Sequence, residues 1–205
     1  MKNFEIDKLK DIADKEIMNS LFMTDLSLMN GQMGIAIFFA MLSRFFDNKY
    51  YEEFAEELLD NICNNMSAFL PINFAKGLCG IGWGIEFLKY LGFINDDTDE
   101  LLSEIDYAVM QRDPRRIDDL SFELGLEGII SYVYCRINSI RNIHSRKPFD
   151  PYYISELNEK AKKCGMYVGS NFSIPMIWEK CLELYFSSVD DSWKKAICNL
   201  SVFNV

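Results

Sequence analysis

The sequence predicts an all-α fold built from about four stacked helical hairpins. Three observations predict it. Apolar residues recur at three-and-four spacing almost throughout the 205 residues, the period of a helix with one buried face. Amphipathic stretches alternate with stretches that are apolar all round, and a helix apolar on every side is buried on every side. The apolar stretches also begin alike, at Gly31-Gln32-Met33-Gly34-Ile35, Gly77-Leu78-Cys79-Gly80-Ile81 and Gly125-Leu126-Glu127-Gly128-Ile129, offset by 46 and 48 residues. A repeat of that length holding two helices is a stack of helical hairpins.

In chain order, Ile6, Leu9, Ala13, Ile17 and Leu21 fall on one face of a first amphipathic helix. Asp25 and Ser27 precede the first buried helix, Ile35 to Phe46, which Asp47-Asn48 ends. Tyr51, Phe54, Ala55, Leu58, Leu59 and Ile62 form the apolar face of the next helix, opposite Glu52, Glu53, Glu56, Glu57 and Asp60. Pro71 and Asn73 introduce the second buried helix, Leu78 to Leu91, and Gly92 follows it. Thr98 opens a third amphipathic helix, with Asp96, Asp97 and Asp99 at its positive end. Asp113-Pro114 ends it, because the residue before a proline resists helical geometry. Ile129 to Ile137 is the third buried helix, and Ser145 to Pro151 is a loop. Tyr153 to Cys164 and Met176 to Phe186 are further helices, the second preceded by Pro175. Asp190-Asp191-Ser192 can cap a last helix reaching about Phe203.

A further step of 48 residues reaches Ser173-Ile174-Pro175-Met176-Ile177, a degenerate fourth copy. The whole chain, 1–205, is therefore read as one α/α-hairpin domain. A helix-interior glycine costs up to about 1 kcal/mol against alanine, so six glycines at matching positions imply a steric need. The first of each pair sets the turn into the helix; the second, at Gly34, Gly80 and Gly128, lets a neighbouring backbone approach. Gly82 and Gly84 thin one helix further. A phosphate cradle is the weaker reading: Gly77 to Gly84 does not spell Gly-x-Gly-x-x-Gly, and no strand signal precedes it.

Charge and composition narrow the function. With 21 basic and 31 acidic residues the chain carries −10, so nucleic acid is a poor partner. Met1 to Lys10 lacks the apolar centre of a signal peptide, and the longest uncharged apolar run, Gly34 to Leu42, is far short of the roughly 20 residues that span a bilayer. A cytoplasmic protein without membrane contact is expected. Six cysteines, Cys63, Cys79, Cys135, Cys164, Cys181 and Cys198, show no zinc-knuckle spacing and read as reduced core thiols. One histidine, His144, cannot supply both a metal ligand and a separate acid–base partner. No zinc and no other cofactor are expected.

The stretch from Leu28 and Gly31-Gln32-Met33-Gly34-Ile35-Ala36 through Gly125-Leu126-Glu127-Gly128-Ile129-Ile130 resembles the lanthionine synthetase C-like family, the lanthipeptide cyclases. The resemblance covers roughly residues 20 to 140. It implies an α/α toroid, in which seven hairpins close a ring with Gly-x-x-Gly at the starts of the inner helices. About four hairpins would make an incomplete ring. The family's cyclases bind zinc through two cysteines and a histidine in later hairpins, and no Cys-His-Gly or Trp-Cys-x-Gly motif occurs here. The resemblance therefore carries the fold and none of the catalytic residues.

Candidate site residues are polar groups standing where their repeat siblings are apolar. Glu127 occupies the column of Met33 and Cys79, and Glu86 that of Ala40 and Tyr134. They are either salt-bridge partners or an acid–base pair at a cavity between inner helices. Asp118, Asp119 and Glu123 lie in the loop before the third buried helix, with Arg115 and Arg116 nearby; they either bind a cation or basic peptide or are simply solvated. Trp83, Phe87 and Tyr134 line a peptide groove or belong to the core. The leading expectation is a non-catalytic helical module binding a peptide or protein partner in modified-peptide biosynthesis. The alternatives are a saccharide hydrolase with paired carboxylates and a cyclase subunit completed by another chain. The apolar Trp193, Ile197, Leu200, Val202 and Phe203 either fold back onto the core or meet another chain, as in a homodimer.

Overall fold

The computed structural model of the chain describes residues 2–139, 147–166, 172–186 and 193–201. Among them the regular elements are all helical: α1 (Lys2–Ser20), α2 (Gln32–Phe46), α3 (Lys49–Asn65), α4 (Leu78–Tyr90), α5 (Asp99–Met110), α6 (Leu126–Asn138), α7 (Pro151–Lys163), α8 (Ile174–Cys181) and α9 (Trp193–Ser201). A 3-10 turn forms at Pro114–Arg116, and a π-helical turn at Leu182–Phe186 follows α8. The alternation of wet and buried helices is as the sequence predicts. α2 buries Gln32 through Ser43 without a break and α4 buries Leu78 through Leu88, whereas α3 buries only Tyr51, Ala55, Leu58 and Ile62. His144 and the Asp190-Asp191-Ser192 cap lie outside the described residues.

The chain packs as two compact units, Met1–Asn65 with Trp178–Val205, and Met66–Ile177. In the first, α2 packs along α3, with Phe39 edge-on to Phe54 at 4.7 Å between ring centres. α9 lies against α1 and α2 and buries Trp193, Ala196, Ile197 and Leu200. The Trp193 ring occupies the space that a side chain at Gly34 would fill, and Lys194 Nζ donates to Asn30 Oδ1 at 2.7 Å. The C-terminal apolar face thus folds back within its own unit and offers no reason for a homodimer; Val202 and Phe203 lie outside the described residues. In the second unit α4 packs beside both α5 and α6, and α7 packs on the 3-10 turn.

The helix starts explain the glycines. The first amides of α2, α4 and α6, at Gln32, Leu78 and Leu126, donate to the carbonyls of Asp25, Pro71 and Asp119, each at 2.8 Å and each seven residues upstream. The entry loop therefore curls back and satisfies an amide that the helix itself leaves open. A Cβ at Gly31, Gly77 or Gly125 would strike that same carbonyl oxygen. Their φ values, −115°, −141° and −117°, are open to any residue, so the need is for space and not for unusual torsions. Two of the second glycines, Gly34 and Gly128, repeat the device one turn on. Gly34 faces the Leu28 carbonyl and Gly128 the Phe122 carbonyl, and a Cβ at Gly128 would also come within 2.7 Å of Phe74 Cβ.

Three local expectations need correction. Leu21 is 65% exposed and lies past the end of α1; of its stripe Leu9 and Ala13 are buried and Ile6 and Ile17 half-buried. α5 ends at Met110, before Asp113-Pro114; Asp113 instead caps the 3-10 turn, its Oδ1 accepting from the Arg115 amide at 3.0 Å. Thr98 precedes α5 but does not cap it with its side chain. Its hydroxyl turns inward to Glu86, and Asp97 Oδ1 accepts the Asp99 amide at 3.0 Å.

Replacing Gly128 by alanine should destabilise the protein by about 1–3 kcal/mol, since both atoms it would strike are backbone or the fixed root of a buried ring. Chemical denaturation checks this; an unchanged midpoint would show that the close approach is not needed.

Candidate functional site

The second unit gathers a cluster of buried charges. Arg136, near the end of α6, is 1% exposed. Its Nη1 donates to Glu86 Oε1 at 2.9 Å and to Asp99 Oδ1 at 2.8 Å, and its Nε donates to Asp106 Oδ2 at 3.2 Å. Helical spacing places the partners: Asp99 and Asp106 are two turns apart on one face of α5, and Tyr132 and Arg136 are one turn apart on α6. Tyr132 donates its hydroxyl to Asp106 Oδ1 at 2.6 Å, and Ser139 Oγ donates to Glu86 Oε2 at 2.6 Å. Thr98 donates to Glu86 Oε1 and accepts from Lys89 Nζ, both at 3.3 Å. The Tyr132 ring lies over Gly82, 2.5 Å from where a Cβ would stand. Burial and then the Asp106 carboxylate push the Tyr132 phenol well above its ordinary pKa. Burial disfavours the Arg136 charge, but Asp106, Tyr132, Glu86 and Asp99 together outweigh it and raise its pKa.

Beside this cluster a cavity of about 460 Å³ opens between α5 and the segment Lys147–Pro151. Asp99, Asp106 and Arg136 line it, and Tyr107, Met110 and Phe149 supply apolar wall. Tyr107 is 62% exposed, so the cavity is a cleft at the surface.

The residues singled out in the sequence fall elsewhere. Glu86 is buried against Arg136 and Ser139 and does not line the cleft. Glu127 sits half-buried in the first turn of α6, whereas Ser139, bonded to Glu86, follows the last turn. Twelve residues of helix separate them, about 18 Å at 1.5 Å per residue, and a helical side chain leans toward the N-terminus. The two carboxyl groups therefore do not reach the roughly 5–9.5 Å separation of a glycosidase pair. Asp118 is exposed. Asp119 is a loop-builder: its Oδ1 accepts the Ser121 amide at 2.8 Å and its carbonyl accepts the Leu126 amide. The Ser121 hydrogen bonds hold its carboxyl below the ordinary value. Trp83 is 0% exposed, stacked on Phe87 at 5.1 Å and tilted against Phe74, so it presents no groove surface. Tyr134 donates to Asn158 Oδ1 at 2.6 Å.

The sequence reading missed Arg136 and Asp106. The signal was present: Arg136 is the one basic residue in a mostly buried helix, and a buried guanidinium requires acid partners.

A family model described as lanthionine synthetase C-like protein matches residues 23–179. The chain belongs to the lanthionine synthetase C-like family. No curated protein sequence and no solved structure matches it. The match extends the likeness read from the glycine repeats through α7 into α8, and the all-helical make-up of the described residues is consistent with the family's α/α fold. No described helix is long and apolar enough to cross a membrane.

The zinc site that the family resemblance implies is not assembled among the described residues, which do not include the one histidine, His144. Among the described residues no three His, Cys, Asp or Glu side chains come together as a metal site. Burial raises the pKa of the Cys79, Cys135 and Cys181 thiols, which disfavours the thiolate that zinc requires.

Two outcomes follow. In the native protein at neutral pH, N-ethylmaleimide should leave Cys79, Cys135 and Cys181 unlabelled, and all three should react after unfolding; rapid native labelling mapped to them by mass spectrometry would contradict their burial. Ser139→Ala should cost about 1.5–3 kcal/mol in denaturation midpoint experiments, the range for a hydrogen bond to a charged group; no change would show that Glu86 does not need it.

Proposed function

We propose that this protein is a non-catalytic member of its family, a helical module that binds a peptide or protein partner in modified-peptide biosynthesis. The observation that carries this reading is the division of roles in the second unit. The acid best placed by sequence for chemistry, Glu86, is committed to Arg136 and Ser139, while the open cleft beside them is walled by Tyr107, Met110 and Phe149. Pockets with apolar walls and a few fixed polar groups are the usual form of a binding site. The separation of Glu86 from Glu127 removes support for the paired-carboxylate hydrolase.

Lanthionine is a thioether, so cyclisation consumes cysteine thiols, which gives a clean test. A fluorescein-labelled, cysteine-containing peptide encoded beside the gene should bind with micromolar affinity by anisotropy. After incubation with the protein and added zinc, its thiols should still all alkylate. Absence of binding would overturn the binding role, and loss of alkylatable thiols would overturn the non-catalytic one.

A further inference from the structure

We infer that the outward face of α1 docks a basic amphipathic helix of a partner protein. This goes beyond the peptide-binding reading and does not rest on it: α1 belongs to the first unit, and the cleft to the second.

Helical spacing divides α1 into two opposite faces. Leu9, Ala13, Glu16 and Ser20 are buried on one of them, and α1 packs on α2 and α9. The other face runs through Asp7, Asp11, Asp14 and Met18 to Leu21 and Phe22, and all six are exposed. The helical turn continues past Ser20, because the Phe22 and Met23 amides donate to the Asn19 and Ser20 carbonyls, both at 3.2 Å. An outward helix face is ordinarily polar. The first half of this one is, and the second half is not. Met18, Leu21 and Phe22 are 61%, 65% and 84% exposed. They stand at i, i+3 and i+4, so they form one apolar patch. Contiguous exposed apolar surface beside polar residues marks an interaction site.

The two halves together specify the occupant. The face is about 22 Å long, four turns at 1.5 Å per residue. A straight ridge of that length suits a second helix, packed ridge into groove. Phenylalanine and methionine are enriched at protein interfaces, where they meet apolar side chains. The three aspartates call for lysine or arginine opposite them. The nearest cations of α1 point elsewhere: Lys8 and Lys15 stand about 100° round the helix from Asp7 and Asp14, and Lys10 Nζ lies over the Phe46 ring, 5.7 Å from its centre. A second copy of this chain fits poorly. Pairing the two faces antiparallel would press the aspartates onto Met18, Leu21 and Phe22, and pairing them parallel would set aspartate against aspartate.

The test uses the full chain and a fluorescein-labelled, capped, alanine-based helical peptide of about 16 residues. The peptide carries lysines on one half of a face and leucines on the other half; a twin carries glutamates in place of the lysines. By anisotropy at low salt the lysine peptide should bind about tenfold more tightly than the twin. In two-dimensional amide NMR it should move the resonances of 7–23. Phe22→Ser should weaken the lysine peptide about fivefold, and the ring is too exposed for its loss to unfold the protein. Replacing the three aspartates together, Asp7→Lys, Asp11→Lys and Asp14→Lys, should reverse the preference so that the glutamate twin binds more tightly. Equal binding of both peptides, shifts confined to other segments, or no binding would each overturn the inference. So would a dimer mass in light scattering that Phe22→Ser abolishes, since a second copy would then be the occupant. The peptide-binding reading, tested with the gene-neighbour peptide and its thiols, stands or falls separately.

Discussion

The second unit depends on burying one guanidinium among three acids. Arg136 contributes from α6, Glu86 from α4, and Asp99 and Asp106 from α5, so a single side chain ties three helices together. Such a cluster specifies more than it stabilises. Apolar residues of equal volume would hold the helices about as well, but would tolerate shifts in register, whereas a buried charge is tolerable only with its partners in place. The hydroxyls of Ser139, Thr98 and Tyr132 complete the carboxylates' hydrogen bonding, which makes the burial affordable. The cleft inherits its character from this arrangement, since its inner surface is the outer edge of the charge cluster.

The inner helices depend on a second constraint, the carbonyl that curls back over each helix start. It fixes where α2, α4 and α6 begin, and it leaves no room for a Cβ. The same loops pack on each other where they belong to one unit: the Ala75 amide donates to the Glu123 carbonyl at 2.9 Å, and the Phe74 and Phe122 rings lie 4.5 Å apart. Phe74 then leads into Trp83 and Phe87, so the aromatic core of the second unit grows from the entry loops.

Much of this was legible in the sequence, and the remainder was hidden for identifiable reasons. Apolar patterning located α1 to α6, because burial of one face or all faces leaves a direct trace in residue order, and prolines and a cap marked α7 to α9. The paired glycines announced a steric need, and their spacing gave the repeat. The entry motif was longer than the glycines alone: Asp25-Leu26-Ser27 and Asp119-Leu120-Ser121 share a turn in which the aspartate accepts the serine amide at 2.8 Å. Proline at position 71 masks the motif in the middle copy, where Asn73 accepts the Lys76 amide instead. Site residues were harder. A repeat column shows that Glu86 is unusual but not which residue pays it attention, because Arg136 lies 50 positions away. Thr98 reads as a cap by type and position, yet its hydroxyl donates to the buried Glu86 carboxylate instead. Trp83 reads equally well as groove or core, and only packing against Phe74 and Phe87 decides.

The central claim is that Arg136 and Glu86 stabilise the second unit through each other. A double-mutant cycle measures this directly, using Arg136→Met, Glu86→Gln and the pair, with stability read from denaturant unfolding. The account expects each single change to be strongly destabilising and the double change to cost far less than their sum, with a coupling of about 2–3 kcal/mol. Additive costs, with coupling near zero, would contradict it.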